Sequence, residues 1–317
     1  FIRLLSLFLI LNTFYISRVE AQSTRDENKR WLNGFNLTNL LIPSNEIKHG
    51  GPPRDGIPAI NQPKYAKADA TDFLHDDDYV LGVYQNDIAK AYPIRILNYH
   101  EIVNDLFDET AIAITYCPLC GSGVAILADI DGTRFSFGVS GLLYNSDVLL
   151  YDRETESLWS QLMGKAVSGS QSGTELEFLP TDYTTWSEWK NRYPKTLVLT
   201  TETGYVRDYS RTPYVGYEES PRLMFPVKNT SDKLEPKERV LGIEINGAYK
   251  AYPLKNLKNG PATKEDVFKG KTLKFHYNVK ANSARITDLK GKELPAITLF
   301  WFAWYAFHPD TEIYDSK

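Results

Sequence analysis

The chain has 317 residues, 42% of them hydrophobic and 13% aromatic, a formal net charge of -4 and only two cysteines. No basic block or stripe is present, which argues against a nucleic-acid surface, and two cysteines are too few for a disulfide-stapled scaffold, so stability has to come from burial. No phosphate-loop or dinucleotide fingerprint occurs, so no nucleotide cofactor is expected, and Gly138-Val-Ser-Gly141 is one residue short of a hydrolase nucleophile elbow.

Residues 1–21 form a short apolar run with one early cation and end in Val19-Glu20-Ala21, the pattern of a cleaved secretory signal. The expectation is an exported chain with no transmembrane segment after cleavage. Residues 22–78 are polar and loop-rich, and Gly50-Gly-Pro-Pro-Arg-Asp-Gly-Ile-Pro58 reads as a stiff segment wrapped over the body. From residue 79 to 317 the pattern is that of one duplicated β-rich domain.

The duplication is visible by eye. Val80-Leu-Gly-Val-Tyr-Gln-Asn-Asp-Ile-Ala-Lys-Ala-Tyr-Pro-Ile-Arg-Ile-Leu97 aligns without a gap with Val240-Leu-Gly-Ile-Glu-Ile-Asn-Gly-Ala-Tyr-Lys-Ala-Tyr-Pro-Leu-Lys-Asn-Leu257, with nine of eighteen positions identical. Each copy opens as a hairpin whose turn, Asn86-Asp87 or Asn246-Gly247, tolerates positive φ. In the first copy Pro93 can start a helix through about Leu106, with Ile96, Tyr99, Val103 and Leu106 on one face, His100 on that stripe, and Glu101 and Asp105 pointing away. A strand from Ala111 to Tyr116 then leads into Cys117-Pro-Leu-Cys120-Gly121. Val124–Leu127 and Thr133–Val139 read as a further hairpin around Asp131-Gly132. Thr185 to Pro194 reads as a short helix and Thr196 to Thr200 as a strand. In the second copy Gly260-Pro261 interrupts the helix, a strand covers Thr272 to Tyr277, and Leu299 to Phe307 is an aromatic run belonging to the core, with His308 where it emerges. The expected fold is α+β and β-rich: two pseudo-repeated hairpin-strand units, about 80–127 and 240–286, packed in one body with few short helices.

The chemistry-bearing residues are confined to the first copy. His100-Glu101 and the Cys117/Cys120 pair stand where the second copy has Gly260-Pro261 and Asn278-Val-Lys-Ala281. A Cys-x-x-Cys turn can bind one metal ion or close a small disulfide, but a zinc-ribbon site needs a second knuckle that the chain lacks. Imidazole is the natural complement. His75, His276 and His49 read as loop or strand-surface residues, whereas His100, a polar ring on an apolar face, is either a ligand or a core histidine bonded to a backbone carbonyl. His308 is the next candidate.

The run Tyr116-Cys-Pro-Leu-Cys-Gly121, with His100-Glu-Ile-Val-Asn-Asp105 upstream and Gly138-Val-Ser-Gly-Leu-Leu-Tyr-Asn-Ser-Asp147, Leu158-Trp-Ser-Gln161 and Phe307-His-Pro-Asp-Thr311 downstream, resembles the bacterial and archaeal family called domain of unknown function 3179. The resemblance covers most of the chain beyond the leader and implies no activity. Three readings are therefore carried forward. The first is an exported metal-binding protein holding copper or zinc through Cys117, Cys120, His100 and His308, with Glu101 or Asn104 orienting a ligand from behind. The second is a structural or partner-binding domain with a Cys117–Cys120 disulfide, and the third a thiol-disulfide oxidoreductase. Whether the chain is an enzyme, and what its partners are, the residues leave open.

Overall fold

The structure, a computed structural model, describes residues 31–258 and 261–315. The expected leader at residues 1–21 lies outside the described residues. No helix among the described residues is long and apolar enough to cross a membrane.

The expected two hairpin-strand units are not what the chain forms. Five sheets make a five-blade β-propeller, with only four short α-helices among the described residues. Alternating short strands and tight turns suit this architecture, in which each blade covers its neighbour's face. The first blade is built on the hairpin Tyr79–Gln85/Ile88–Pro93, flanked by Asp182–Thr185 on one side and by Leu197–Leu199 and Tyr65–Lys67 on the other. A second carries Ile102–Phe107, Thr110–Cys117, Ser122–Leu127 and Phe178–Leu179. A third holds Ile47–His49 beside Phe137–Tyr144, Asp147–Asp152, Leu158–Ser160 and Lys165–Ser168. The fourth centres on Arg239–Ile245/Ala248–Pro253, with Ala296–Phe300 and Glu312–Ile313 at its edges. The fifth is Thr263–Phe268, Lys271–Asn278 and Ser283–Thr287.

The sequence repeat falls on the first and fourth blades. Their hairpins pair in the same register, Val80 with Pro93 and Val240 with Pro253, around turns whose central residues have φ of 51° and 59° (Asn86, Asp87) or 54° and 74° (Asn246, Gly247). The likeness runs further than the eye finds in the sequence. In both blades one edge strand feeds a short helix, Trp186–Arg192 or Trp301–Phe307, and the chain returns as a strand parallel to the hairpin. The second tryptophan of each helix donates its indole N–H to a threonine, Trp189 to Thr196 and Trp304 to Thr311, both at 2.8 Å. It also lies flat over the hairpin glycine.

The Lys-Ala-Tyr-Pro of each copy ties its blade to the next one along the chain. Lys90 Nζ donates to both oxygens of Asp105 at 2.9 Å and to the Leu106 carbonyl at 2.8 Å, and the Tyr92 hydroxyl donates to the same carboxylate. In the second copy Lys250 and Tyr252 donate to Asp266 at 2.6 and 2.8 Å. Deleting Asp105 would strand a buried ammonium, a loss of about 3–5 kcal/mol. The lysine, tyrosine and acid are therefore scaffold.

The helix expected to run to Leu106 stops at His100. Glu101 takes the left-handed conformation, φ 57°, and its N–H caps Leu97. Ile102 to Phe107 then pairs antiparallel with Thr110 to Ala111 and onward to Thr115, so Asp105 and Glu101 are buried rather than solvent-facing. β-branched and aromatic side chains that fit a helical stripe are satisfied equally by a strand. The turn expected at Asp131-Gly132 does close a hairpin, but a shorter one, Asp129–Ile130 with Thr133–Arg134, because Phe137–Tyr144 leaves for a different blade and pairs there with Asp147–Asp152. The Gly50–Pro58 segment does wrap the body: Gly50 and Asp55 donate their N–H groups to the Gly141 and Val139 carbonyls, and Asp55 pairs with Arg153.

A Cβ on Gly82 would lie 2.2 Å from the Trp189 ring, and one on Gly242 2.4 Å from the Trp304 ring. Gly82→Ala and Gly242→Ala are each expected to destabilise the fold by about 1–3 kcal/mol through overpacking, read as a lower denaturant midpoint by tryptophan fluorescence.

Candidate functional site

Strand Thr110–Cys117 ends in the cysteine turn and Ser122–Leu127 leaves it, with Cys117 and Ser122 as the closing pair. The Cys120 N–H donates to the Cys117 carbonyl at 3.2 Å, a four-residue turn in which Pro118 occupies the position that suits its fixed φ. Gly121 follows at φ 60°, and a Cβ there would press on the Phe300 ring at 3.0 Å. From the fourth blade Phe300 donates its N–H to the Cys120 carbonyl at 2.9 Å, which fixes the turn from behind.

The third blade supplies the opposing wall. Tyr144 and Asp147 close a two-residue hairpin whose central residues, Asn145 and Ser146, have φ of 50° and 66°, the positive pair that matches strand twist. This tight turn places the Ser146 carbonyl 3.4 Å from Cys120 Sγ and 3.8 Å from Cys117 Sγ, accepting from both thiols. Asp147 comes next. One ligand atom each from Cys117, Cys120 and Asp147 lies within 4.8 Å of the others, all three residues are buried, and both cysteines are free thiols. Asp147 Oδ2 accepts from the Leu162 N–H at 3.0 Å, while its Oδ1 and the Ser146 hydroxyl are buried with no hydrogen-bond partner. Such a cluster could hold a metal ion.

A buried polar network supports the floor: Ser122 donates to Gln161 Oε1 at 2.7 Å, and Gln161 Nε2 donates to Thr115 at 2.8 Å. The chain between Leu199 and Arg239, which has no regular structure, closes over the turns. Tyr217 donates to the Leu119 carbonyl at 3.0 Å and Lys228 donates its N–H to Asn145 at 2.9 Å. Lys237 Nζ holds this segment by donating to the carbonyls of Tyr217, Ser220 and Arg222.

Burial dominates the electrostatics. It pushes Asp147 up to about 7, against the N–H groups of Leu162 and Val148 that favour the anion. It pushes Glu101 up to about 8, with the charge of Asp147 adding to the effect. Cys117 is raised by burial, an effect its hydrogen bond with Cys120 opposes and the charges of Asp147 and Glu101 reinforce. Cys120 is raised well above an ordinary thiol, again chiefly by burial. Four acidic groups in a dry site thus favour protonation, and a cation is what would reverse that preference.

The two histidines expected as ligands are engaged elsewhere. His100 Nδ1 lies 2.7 Å from the Pro58 carbonyl, which can only accept, so that nitrogen carries the hydrogen. Burial lowers the ring's pKa, so the neutral ring accepts at Nε2 from Tyr209 at 2.6 Å, and Tyr209 in turn meets Thr203. His100 is the core histidine. His308 stacks on Tyr249 at 3.8 Å and against Trp304 at 4.3 Å, just as Tyr193 stacks on Tyr84 and Trp189 in the first blade. It fills an aromatic position of the scaffold, and burial lowers its pKa to about 4. Asn104, expected to orient a ligand, instead exchanges hydrogen bonds with the backbone of Phe137 and so joins the second blade to the third. Asp147, which the structure brings to the two cysteines, is not among the residues expected there from the sequence. Its signal was the polar break Asn145-Ser146-Asp147 between two apolar runs, a hairpin turn of the same kind as Asn86-Asp87.

Residues 54–311 match the family described as "Protein of unknown function (DUF3179)". The chain belongs to that family. The match takes in the cysteine turn, Glu101, Asp147 and all five blades' central strands, so the site lies within the part that defines membership. No curated protein and no solved structure matches the chain significantly.

The raised carboxyl at Asp147 makes a signed prediction. Its folded pKa, about 7, lies above the ordinary 3.8, so its contribution to stability is complete below the unfolded value and is lost as pH rises through about 7. In metal-free protein Asp147→Asn, which keeps an acceptor for Leu162, is therefore expected to gain thermal stability over wild type as pH rises from about 4 to about 8. Melting curves of both proteins across that range, with chelator present, test it; a constant gap would show that Asp147 is already charged in the fold.

Proposed function

We propose that this chain is a metal-binding protein whose ion is held by Cys117, Cys120 and Asp147, and that the ion is zinc. The observation that carries the reading is the convergence of two thiols and a carboxyl from two blades within 4.8 Å, with Asp147 Oδ1 buried and partnerless. Two thiolates and a carboxylate are a donor set for a borderline cation. Copper(I), which favours sulfur alone, would gain little from Asp147. The raised pKa values of the two thiols and the carboxyl support the same reading, since these groups must release protons to bind, and the ion is what makes their charge tolerable.

Thiol-disulfide exchange is the weaker reading on physical grounds. An attacking thiolate needs exposure and a lowered pKa, and here both cysteines are buried and raised. A permanent disulfide across so small a loop would add little stability. As part of the proposal the chain works in an exported compartment, a reading supported by the apolar run and Val19-Glu20-Ala21.

Protein purified under reducing conditions is expected to carry one zinc per chain by elemental analysis. Cys117→Ser and Asp147→Asn should lose it or bind it at least tenfold more weakly (an effect of about 1.4 kcal/mol or more), while His100→Gln and His308→Tyr keep it. Retention of metal by the Cys117→Ser variant would remove the site from consideration.

A further inference from the structure

Three protein donors leave a tetrahedral ion one ligand short, and whether the fourth position is closed or open separates a structural centre from one that exchanges ligands. The side chain that bears on this is Glu101. It is 7% exposed, and its charge is felt by Cys117 and by Tyr214 of the covering segment. Its backbone is fixed at both ends: the N–H donates to Leu97 at 2.8 Å, and the carbonyl accepts from Tyr116, the neighbour of Cys117, at 2.7 Å. Yet the carboxyl has no hydrogen-bond partner among the described residues. It also stands outside the group whose ligand atoms lie within 4.8 Å of one another.

A largely buried carboxyl that no protein group pairs, on a non-glycine residue at φ 57°, is not placed there for stability, since the backbone alone costs about 1 kcal/mol. The scaffold does not require it, since Ala262 takes the equivalent place in the second copy, its carbonyl accepting from Tyr277 as that of Glu101 accepts from Tyr116. Asn104 and His100, its neighbours in sequence, have structural partners that account for them; Glu101 has none. On the hairpin side the Ser146 carbonyl, a neutral donor, already faces both sulfurs.

Resting on the metal reading above, we propose that the ion keeps an open fourth position facing Glu101, and that Glu101 accepts a hydrogen bond from the small protic molecule that occupies it. The ligand class is water or a small molecule that coordinates through one atom and has a hydrogen to give from another. Glu101 touches that ligand and not the metal. Cys117, Cys120 and Asp147 hold the ion, and the segment carrying Tyr214 and Tyr217 limits what can enter to something small.

Cobalt(II) loaded into the full chain reports each layer separately. A sulfur-to-cobalt charge-transfer band tests the ion site itself, and its absence would sink the metal reading. With the band present, imidazole and azide are titrated in turn. The open position predicts that both shift the d–d bands of wild type while the charge-transfer band persists. Glu101→Gln should weaken imidazole, whose second nitrogen carries a hydrogen for Glu101, by about tenfold, and leave azide, which has none, unchanged or tighter. Glu101→Asp, which shortens the reach, should weaken imidazole as well and serves if the glutamine variant does not fold. Cobalt protein whose d–d bands ignore both probes has a closed fourth position, with the Ser146 carbonyl in it. That result, or equal imidazole affinity with and without the Glu101 carboxylate, overturns the inference while leaving the metal site standing.

Discussion

The contact on which the site depends is a meeting of two turns. One closes the Cys117–Cys120 corner of the second blade and the other the Asn145–Ser146 corner of the third, and the Ser146 carbonyl lies between the two sulfurs. Each turn is rigid for a local reason, proline in one and paired positive φ angles in the other. Their relative placement is set by the blades behind them, including the Asn104 amide that bridges to Phe137. Thiols and carboxyl therefore converge without any one segment of chain having to bend toward the others.

The duplicated blades separate scaffold from chemistry better than burial does. Lys90 with Asp105 and Lys250 with Asp266 are buried ion pairs of a kind that often marks an active site, yet they occur in both copies and hold neighbouring blades together. His308 takes the place of Tyr193, so its ring has an architectural explanation. Glu101, Cys117, Cys120 and Asp147 have no counterpart. The first three sit where the other copy carries Ala262, Asn278 and Ala281, and Asp147 belongs to the third blade, for which the second copy has no equivalent.

What could be read from residues alone follows the range of the interaction. Asn86-Asp87 and Asn246-Gly247 announced their hairpins because a two-residue turn is a local decision. The cysteine pair stood out for the same reason. The helix extended to Leu106 was a misreading of period, since Ile102, Val103, Leu106 and Phe107 satisfy either pattern until the strand at Thr110 claims them. The propeller itself was hidden because its blades are completed from far away: Ile47–His49 joins Phe137–Tyr144, and Asp182–Thr185 joins Tyr79–Gln85. His100 and Asp147 were misjudged for one cause. Pro58, Tyr209 and the two cysteines that decide their roles lie at sequence distances over which pattern carries no information.

That pairing of Asp182–Thr185 with Tyr79–Gln85 also orders events in time. Apart from the edge strand Ile47–His49, the second and third blades lie between the two strands, so on a growing chain the first blade's hairpin waits, both edges bare, until both later blades have been made. Leu197–Leu199 then enters parallel to Ile88–Pro93, from farther still along the chain. Long-range pairings of this kind slow folding and leave strand edges open to wrong partners. The helix Trp186–Arg192, which seats Trp189 over Gly82 as soon as its own strand arrives, acts as the latch that ends that vulnerable interval.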